Sequence, residues 1–507
     1  AANDQLTVRA YPRGQEMLLM TTPASPAVGR QVVTPATVAP GAPGATPSIP
    51  AHLAGYPLLD AITERRSRRF AGGMRLAGGP LAHASARTPE PLSLAEEAVL
   101  AFAAGGVTGH ALAELPYQNG GGPATGGGNI MAGLIGRTVA SGDAMHTVAV
   151  VVANDEGTWL LKRPQDYRRD EIAGLVEAAH ARQYAALYER SRVRLADRRL
   201  DAPRELPVTP SFNKWSANAP GTTLFLPVEE CSALYINILL TVFEEDYGYF
   251  LVDDRHGYRP AGLARFARSR GGHLYDDPRA GRVATVEALE TSLFEFAAVE
   301  QGGILQNLGL TAQALGLGGF PFFAAHPYGW LLALGFRTEG VPFSRLAGTS
   351  RPLRWILRAL RRDLPVPTAL GLERGGAALL RPYCPPYYPS MREAVLALVD
   401  SKFGAGTGTL RDGRATAWRD GPAVQAGIPR CSDRAVEATV AYCEYVHRRY
   451  GRFPIRSGPF RTVLAYQAHH VDRDFYDRYY RPEALSATQR EHGARWHQAD
   501  ARPPATS

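Results

Sequence analysis

The sequence predicts a mixed protein of helices and strands, and three stretches carry that expectation. "HTVAVVVAN" and "GTWLLKR" are short apolar runs joined by a tight turn, Asn154–Gly157, the pattern of a buried hairpin. "LSLAEEAVLAFAAGG" (92–106) has an apolar face at helical spacing and a glycine stop. From Ala297 to Leu317 the residues Ile304, Leu305, Leu308, Leu310, Ala314 and Leu315 recur at helix spacing in an almost uncharged stretch, which predicts a helix buried nearly all round.

The other elements follow in chain order. Residues 1–55 are expected to be a Pro- and Ala-rich extended arm: "TTPASPAVGRQVVTPATVAPGAPGATPSIP" is nearly free of charge and cannot bury enough apolar area to offset its ordering entropy. "PLLDAITERRSRRF" starts as a helix, with Leu58, Leu59 and Ile62 at helical spacing, and ends in a basic cluster. "NGGGPATGGGN" (119–129) is a loop without the Gly-Lys-Ser/Thr of a phosphate loop. Residues 170–200 are expected as one long charged helix, "TTLFLPV" as a strand, "CSALYINILLTVF" as a helix and "YGYFLVDD" as a strand. "RPLRWILRALRR" is an amphipathic helix expected to pack on the core, followed by a short strand and a turn. "SMREAVLALVDSKF" is a helix, 403–430 a Gly- and Arg-rich linker, and the rest an aromatic, His-rich region.

Composition narrows the function classes. With 507 residues and 45% hydrophobic content the chain is globular, neither disordered nor collagen-like. A net charge of +8 over that length does not demand nucleic acid, and none is expected as a partner. Only Lys162, Lys214 and Lys402 are lysines, an arginine preference typical of GC-rich bacterial genes. Apolar runs are too short and too interrupted to span a bilayer, so no membrane is expected either. Four cysteines, Cys231, Cys384, Cys431 and Cys443, form no CxxC pair, which fits a reducing cytoplasm. No GxGxxG motif follows a strand, so no dedicated dinucleotide domain is expected. His469, His470, Asp472, Asp474, His492 and His497 collect near the end of the chain, but their spacing fits no standard metal signature. No metal is therefore expected there, and the region reads as a polar, aromatic docking segment.

Three further stretches could carry chemistry. Arg65-Arg66-Ser67-Arg68-Arg69 before Phe70 is dense in donors matched to phosphate oxygens. Ala140-Ser141-Gly142-Asp143-Ala144 is a small-residue turn into a buried strand, where backbone groups can approach a flat ligand. Gly302 and Gly303 are read as opening the oily helix, with free N–H groups available to an electron-rich edge.

In this order the three resemble the flavin-dependent nitroreductase superfamily, closest to its azoline-peptide dehydrogenase branch. Its R-[RH]-S-x-[RK]-x-F motif matches Arg65, Arg66, Ser67, Arg69 and, one place early, Phe70. A P-S-A-G-A-L-Y-P-like turn corresponds to 140–147, and a late qNLxLxAxxLGLG helix is similar to 305–318. "LPVPTALGLERGGAALLRPY" resembles the closing strand.

The resemblance implies an α+β fold, a central mostly antiparallel sheet flanked by helices. It spans 56–400, with 401–507 as a C-terminal extension, and implies a homodimer. It also implies FMN binding. Arg65, Arg66, Ser67 and Arg69 would hold the phosphate and ribityl chain. Ser141, Gly142 and Asp143 would lie against the ring, Gln301, Gly302 and Gly303 at its edge, and Arg381 would be a late phosphate ligand. The implied activity is hydride transfer through flavin N5, on a peptide, natural-product, nitro or quinone substrate, with NAD(P)H as a possible electron donor. Ala140 stands where the family has proline, Asp143 where it has glycine, and His146-Thr147 where it has Tyr-Pro. Those departures leave a second expectation open, a flavin-free binding protein that keeps the fold.

Overall fold

A seven-stranded, wholly antiparallel sheet forms the centre of the computed structural model, which describes residues 53, 55–114, 127–206, 208–323 and 327–496. The arm at 1–50, most of the glycine loop 119–129 and His497 lie outside the described residues. The sheet's strands are β1 (Val148–Ala153), β2 (Thr158–Leu161), β3 (Arg192–Ala196), β4 (Thr223–Glu230), β5 (Gly318–Phe323), β6 (Phe460–Arg461) and β7 (Leu464–His469). They lie in the order β5-β7-β4-β1-β2-β3, with β6 added to β4. β1 and β2 are the expected hairpin, and Asn154 closes it by accepting from the Glu156 and Gly157 N–H groups through its side chain.

Residues 170–200 differ from expectation. They form two short helices, Ile172–His180 and Tyr184–Ser191, and then β3. Arg182 has φ 56°, a left-handed conformation that ends the first helix. The alternation Arg192-Val193-Arg194-Leu195 then has the two-residue period of an edge strand.

Seven helices matter below: α1 (Leu58–Glu64), α2 (Leu94–Gly105), α3 (Ser232–Val242), α4 (Val286–Leu315), α5 (Met391–Phe403), α6 (Asp433–Tyr450) and α7 (Ala487–Trp496). One sheet face packs Val148, Val150, Val152, Phe225 and Tyr466 against α2 and α4. The other packs Val151, Leu226 and Phe320 against Trp330, Leu331 and the strand residues Ala369 and Leu372. Beyond the end of β4, α3, α5 and α6 build a third apolar cluster around Tyr235, Leu239 and Tyr442.

Chain beyond residue 400 is woven into this body. β7 runs between β5 and β4, and Leu410, Gln425 and Ile428 in the stretch read as a linker are buried. Arg351–Ala359 is a helix as expected, but it is not packed on the core: none of its residues is buried and Trp355 is 73% exposed. Among the described residues no helix is long and apolar enough to cross a membrane.

Candidate functional site

α4 carries the glycine pair and touches both the basic cluster and the turn singled out in the sequence. It begins well before the glycine pair, at Thr285, whose side chain accepts from the Ala288 N–H. Gly302 and Gly303 therefore lie in mid-helix, where N–H groups bond to carbonyls one turn back, and present no free donors. The helix is also not buried all round, since Phe296, Val299 and Gly302 are exposed. The two glycines differ in what surrounds them. A Cβ on Gly303 would stand 2.9 Å from Val139 Cγ1, so this glycine permits close packing; at Gly302 the space is open to 4 Å.

At about 100° per residue, Gly302 and Gly309 share one face of α4 two turns apart, about 10 Å. Arg65 lies at the Gly309 end: a Cβ there would meet Arg65 Cδ at 3.3 Å and Tyr466 Cε2 at 3.9 Å. Ser67 and Arg66 are exposed beside it, the Arg66 guanidinium donating to the Thr63 and Arg65 carbonyls. The remaining arginines turn into the protein. Arg68 is buried and donates to the Ala484 carbonyl (2.7 Å) and Gln313 Oε1 (2.9 Å). Arg69 donates to Asn213 Oδ1 and Ser216 Oγ, both at 2.9 Å, with its guanidinium over the Trp215 and Phe320 rings.

The turn 140–144 meets α4 from the opposite side. Ser141 Oγ donates to Glu300 Oε2 (2.7 Å) and accepts from the His146 N–H (2.8 Å). Glu300 is the hub of a buried network: it also accepts from Thr147 Oγ1 and the Val148 N–H, both at 2.9 Å, and pairs with Arg137. Sequence reasoning missed Glu300, although it is the single charge in 297–317 and so carried a signal. Gln301, buried next to it, donates to the Pro227 carbonyl (3.2 Å).

Asp143 has φ 57° and points inward, accepting from Asn237 Nδ2 (3.1 Å); Asn237 Oδ1 in turn accepts from the buried Lys402 ammonium. Burial raises the Asp143 carboxyl, and Lys402 and the Asn237 hydrogen bond oppose that rise. His146 is buried with Nε2 2.7 Å from the Ile135 carbonyl; burial pushes its pKa down to about 3, so it stays neutral and cannot serve as a proton donor near pH 7.

Arg381 stands far from Arg65. It stacks over Tyr388 beyond the Glu230 end of β4, whereas Arg65 neighbours Tyr466, which pairs with Phe225 near the other end. The strand length between makes that separation on the order of 20 Å. Within one chain, then, Gly302 is exposed on one face of α4 and Arg65 lies against the buried Gly309 two turns along that face, while Ser141 meets the helix from its other side.

Glu229 is a second group the sequence did not reveal. It is fully buried on β4, directly across from Val148, and neither carboxylate oxygen has a hydrogen-bond partner; Arg461 lies 3.9 Å away. Burial raises its pKa to about 7, against the pull of Arg461.

No family model and no curated protein matches the chain. Among solved structures it is similar to the crystal structure of a protein described as a "putative nitroreductase" from Ralstonia eutropha JMP134, at 13% identity and a TM-score of 0.27, over 56% of this chain and 77% of that one.

Proposed function

We propose that the protein is an FMN-dependent oxidoreductase of the nitroreductase type, with the flavin held along the open face of α4. The observation that carries this reading is the shared face of Gly302 and Gly309 with Arg65 at its end. A missing Cβ at Gly302 leaves room for a flat ring, and the Arg65 guanidinium two turns away, followed in the chain by the exposed Ser67, would supply phosphate donors. Bound there, FMN would supply the hydride chemistry, with NAD(P)H as electron donor and a peptide, natural-product, nitro or quinone compound as partner substrate. The chain's own part is to orient the cofactor and exclude water.

The same reading calls for two copies. Phe296 and Val299, 53% and 70% exposed, form an apolar stripe between the two flanks of α4. In a two-fold dimer over that stripe, the partner's turn 140–144 would approach the Arg65 side, uniting elements that one chain holds apart.

Purified protein should be yellow, release FMN on denaturation and oxidise NAD(P)H with a quinone or nitro acceptor. Arg65→Ala should lose most of the flavin while retaining the wild-type melting curve. The inward turn of Arg68, Arg69 and Asp143 favours the second reading, a flavin-free binding protein. A colourless preparation that takes up no added FMN would favour it and end the flavin assignment.

A further inference from the structure

We infer that Glu96, His470 and His492 form a binding site for one divalent transition-metal ion, zinc being the ion their donors suit best. The site is independent of the flavin reading.

All three side chains are buried, and their ligand-capable atoms lie within 4.8 Å of one another. His492 Nε2 is 2.7 Å from Glu96 Oε1, and His470 Nε2 is 3.6 Å from Glu96 Oε2. Tetrahedral coordination with bonds of about 2 Å spaces ligand atoms about 3.3 Å apart, so these positions need only small side-chain adjustments to close on an ion. Two imidazoles and one carboxylate make a donor set of intermediate hardness, which selects zinc and its neighbours over calcium or magnesium.

The surroundings fit the same purpose. The Ser93 N–H and hydroxyl both donate to Glu96 Oε2, at 2.8 and 2.7 Å, and fix the carboxylate at the start of α2. Glu90 Oε2 lies 3.8 Å from His470 Nδ1, on the ring's other side, where a carboxylate orients a metal-bound imidazole. Together Glu90 and Glu96 balance the charge of a divalent ion.

A cavity of about 30 Å³ opens on His470, Glu90 and Arg87. Neither Glu96 nor His492 lines it, and it is too small for an organic substrate. Arg87 turns its charge to Asp474, 3.3 Å away. The ion is therefore a staple. Its ligands come from the first turn of α2, the residue after β7 and the last described helix, α7, and it would clamp the end of the chain onto the α2 side of the sheet.

The sequence pattern His-His-x-Asp is not the ligand set. Asp472 accepts from the Ser85 hydroxyl and the Phe475 N–H, and His469 packs against Gly318. The third ligand instead comes from Glu96, more than 370 positions earlier in the chain.

The test is metal analysis of the full-length protein, followed by chelator stripping and titration with Zn²⁺. One zinc per chain, a Tm that falls by several degrees on stripping, and recovery that saturates at one equivalent are expected. His492→Ala and Glu96→Gln should each abolish retention of the ion. Should those variants fail to fold, Co²⁺ uptake by the stripped wild-type protein keeps the test open: visible d–d bands of a low-symmetry N/O site, displaced by one equivalent of Zn²⁺, support the assignment. A wild-type protein that retains no zinc, shows no Co²⁺ bands and melts identically with and without chelator overturns it, leaving a hydrogen-bonded Glu–His knot. So does a folded His492→Ala variant that holds zinc as the wild type does.

Discussion

At the scale of single residues, Glu229 is a poorly compensated buried charge, a carboxylate sealed between β4 and α4 with an arginine no nearer than 3.9 Å. Its folded pKa of about 7 lies above the ordinary value of 4.5. The sign follows from linkage. Below pH 4.5 the group is protonated in both folded and unfolded chains and costs nothing; as the pH rises through 7 the unfolded chain releases the proton first, so stability falls across that window. Glu229→Gln should match the wild type in urea denaturation at pH 4 and exceed it at pH 8, by up to about 3 kcal/mol. Glu290 is raised to about 7 in the same window, so the variant should keep part of the wild-type slope. Equal stabilities at pH 8 would mean that Glu229 is solvated or paired. Nothing local in "FLPVEE" separates Glu229 from Glu230, which accepts from the Ser232 N–H and hydroxyl, because burial is decided by the strands and the helix that close over β4.

At the scale of elements, α4 shows what periodicity reveals and what it conceals. Its apolar spacing marked a helix, but the glycine pair read as its start lies in the middle, because the capping Thr285 precedes a stretch with charges at Glu287, Glu290, Glu295 and Glu300 that hid the continuity. Each glycine there costs about 1 kcal/mol of helix stability relative to alanine. Gly303 earns its place against Val139, so Gly303→Ala should destabilise by about 1–3 kcal/mol through overpacking. Gly302 has no such neighbour, and Gly302→Ala should raise stability by about 1 kcal/mol. If a flavin lies on that face, the same variant should bind FMN more weakly than the wild type. Thermal melts with an FMN titration of both variants separate the effects, and a Gly302→Ala protein that gains stability and keeps full FMN affinity would move the cofactor off this face. The helix at Arg351–Ala359 makes the complementary point: its amphipathic pattern was legible, but whether its apolar side meets the core depends on the tertiary fold, which leaves it exposed.

At the scale of the whole molecule, local signals located most strands and helices but not their order in space. β1, β2 and β4 were readable as apolar runs, and the hairpin follows from its turn. The place of β7 was not, because "LAYQAH" mixes Tyr466, Gln467 and His469 into a strand, and Gln467 finds its partners only far away in the chain, accepting from the Asn218 N–H and donating to the Ser216 carbonyl. That placement has a consequence for folding. β7 pairs with β5 on one side and β4 on the other, so both neighbours depend on it for hydrogen bonds, and Ala465, Tyr466 and Ala468 supply core to both sheet faces. A chain ending at residue 459 would retain the whole stretch 56–400, yet it would open two buried strand edges and strip α4 of its contact with Tyr466. Such a truncation should lack cooperative unfolding in circular dichroism and aggregate. A truncation at 459 that unfolds in one sharp transition would show that β5 can pair with β4 directly and that the C-terminal strand is an addition to a sheet complete without it.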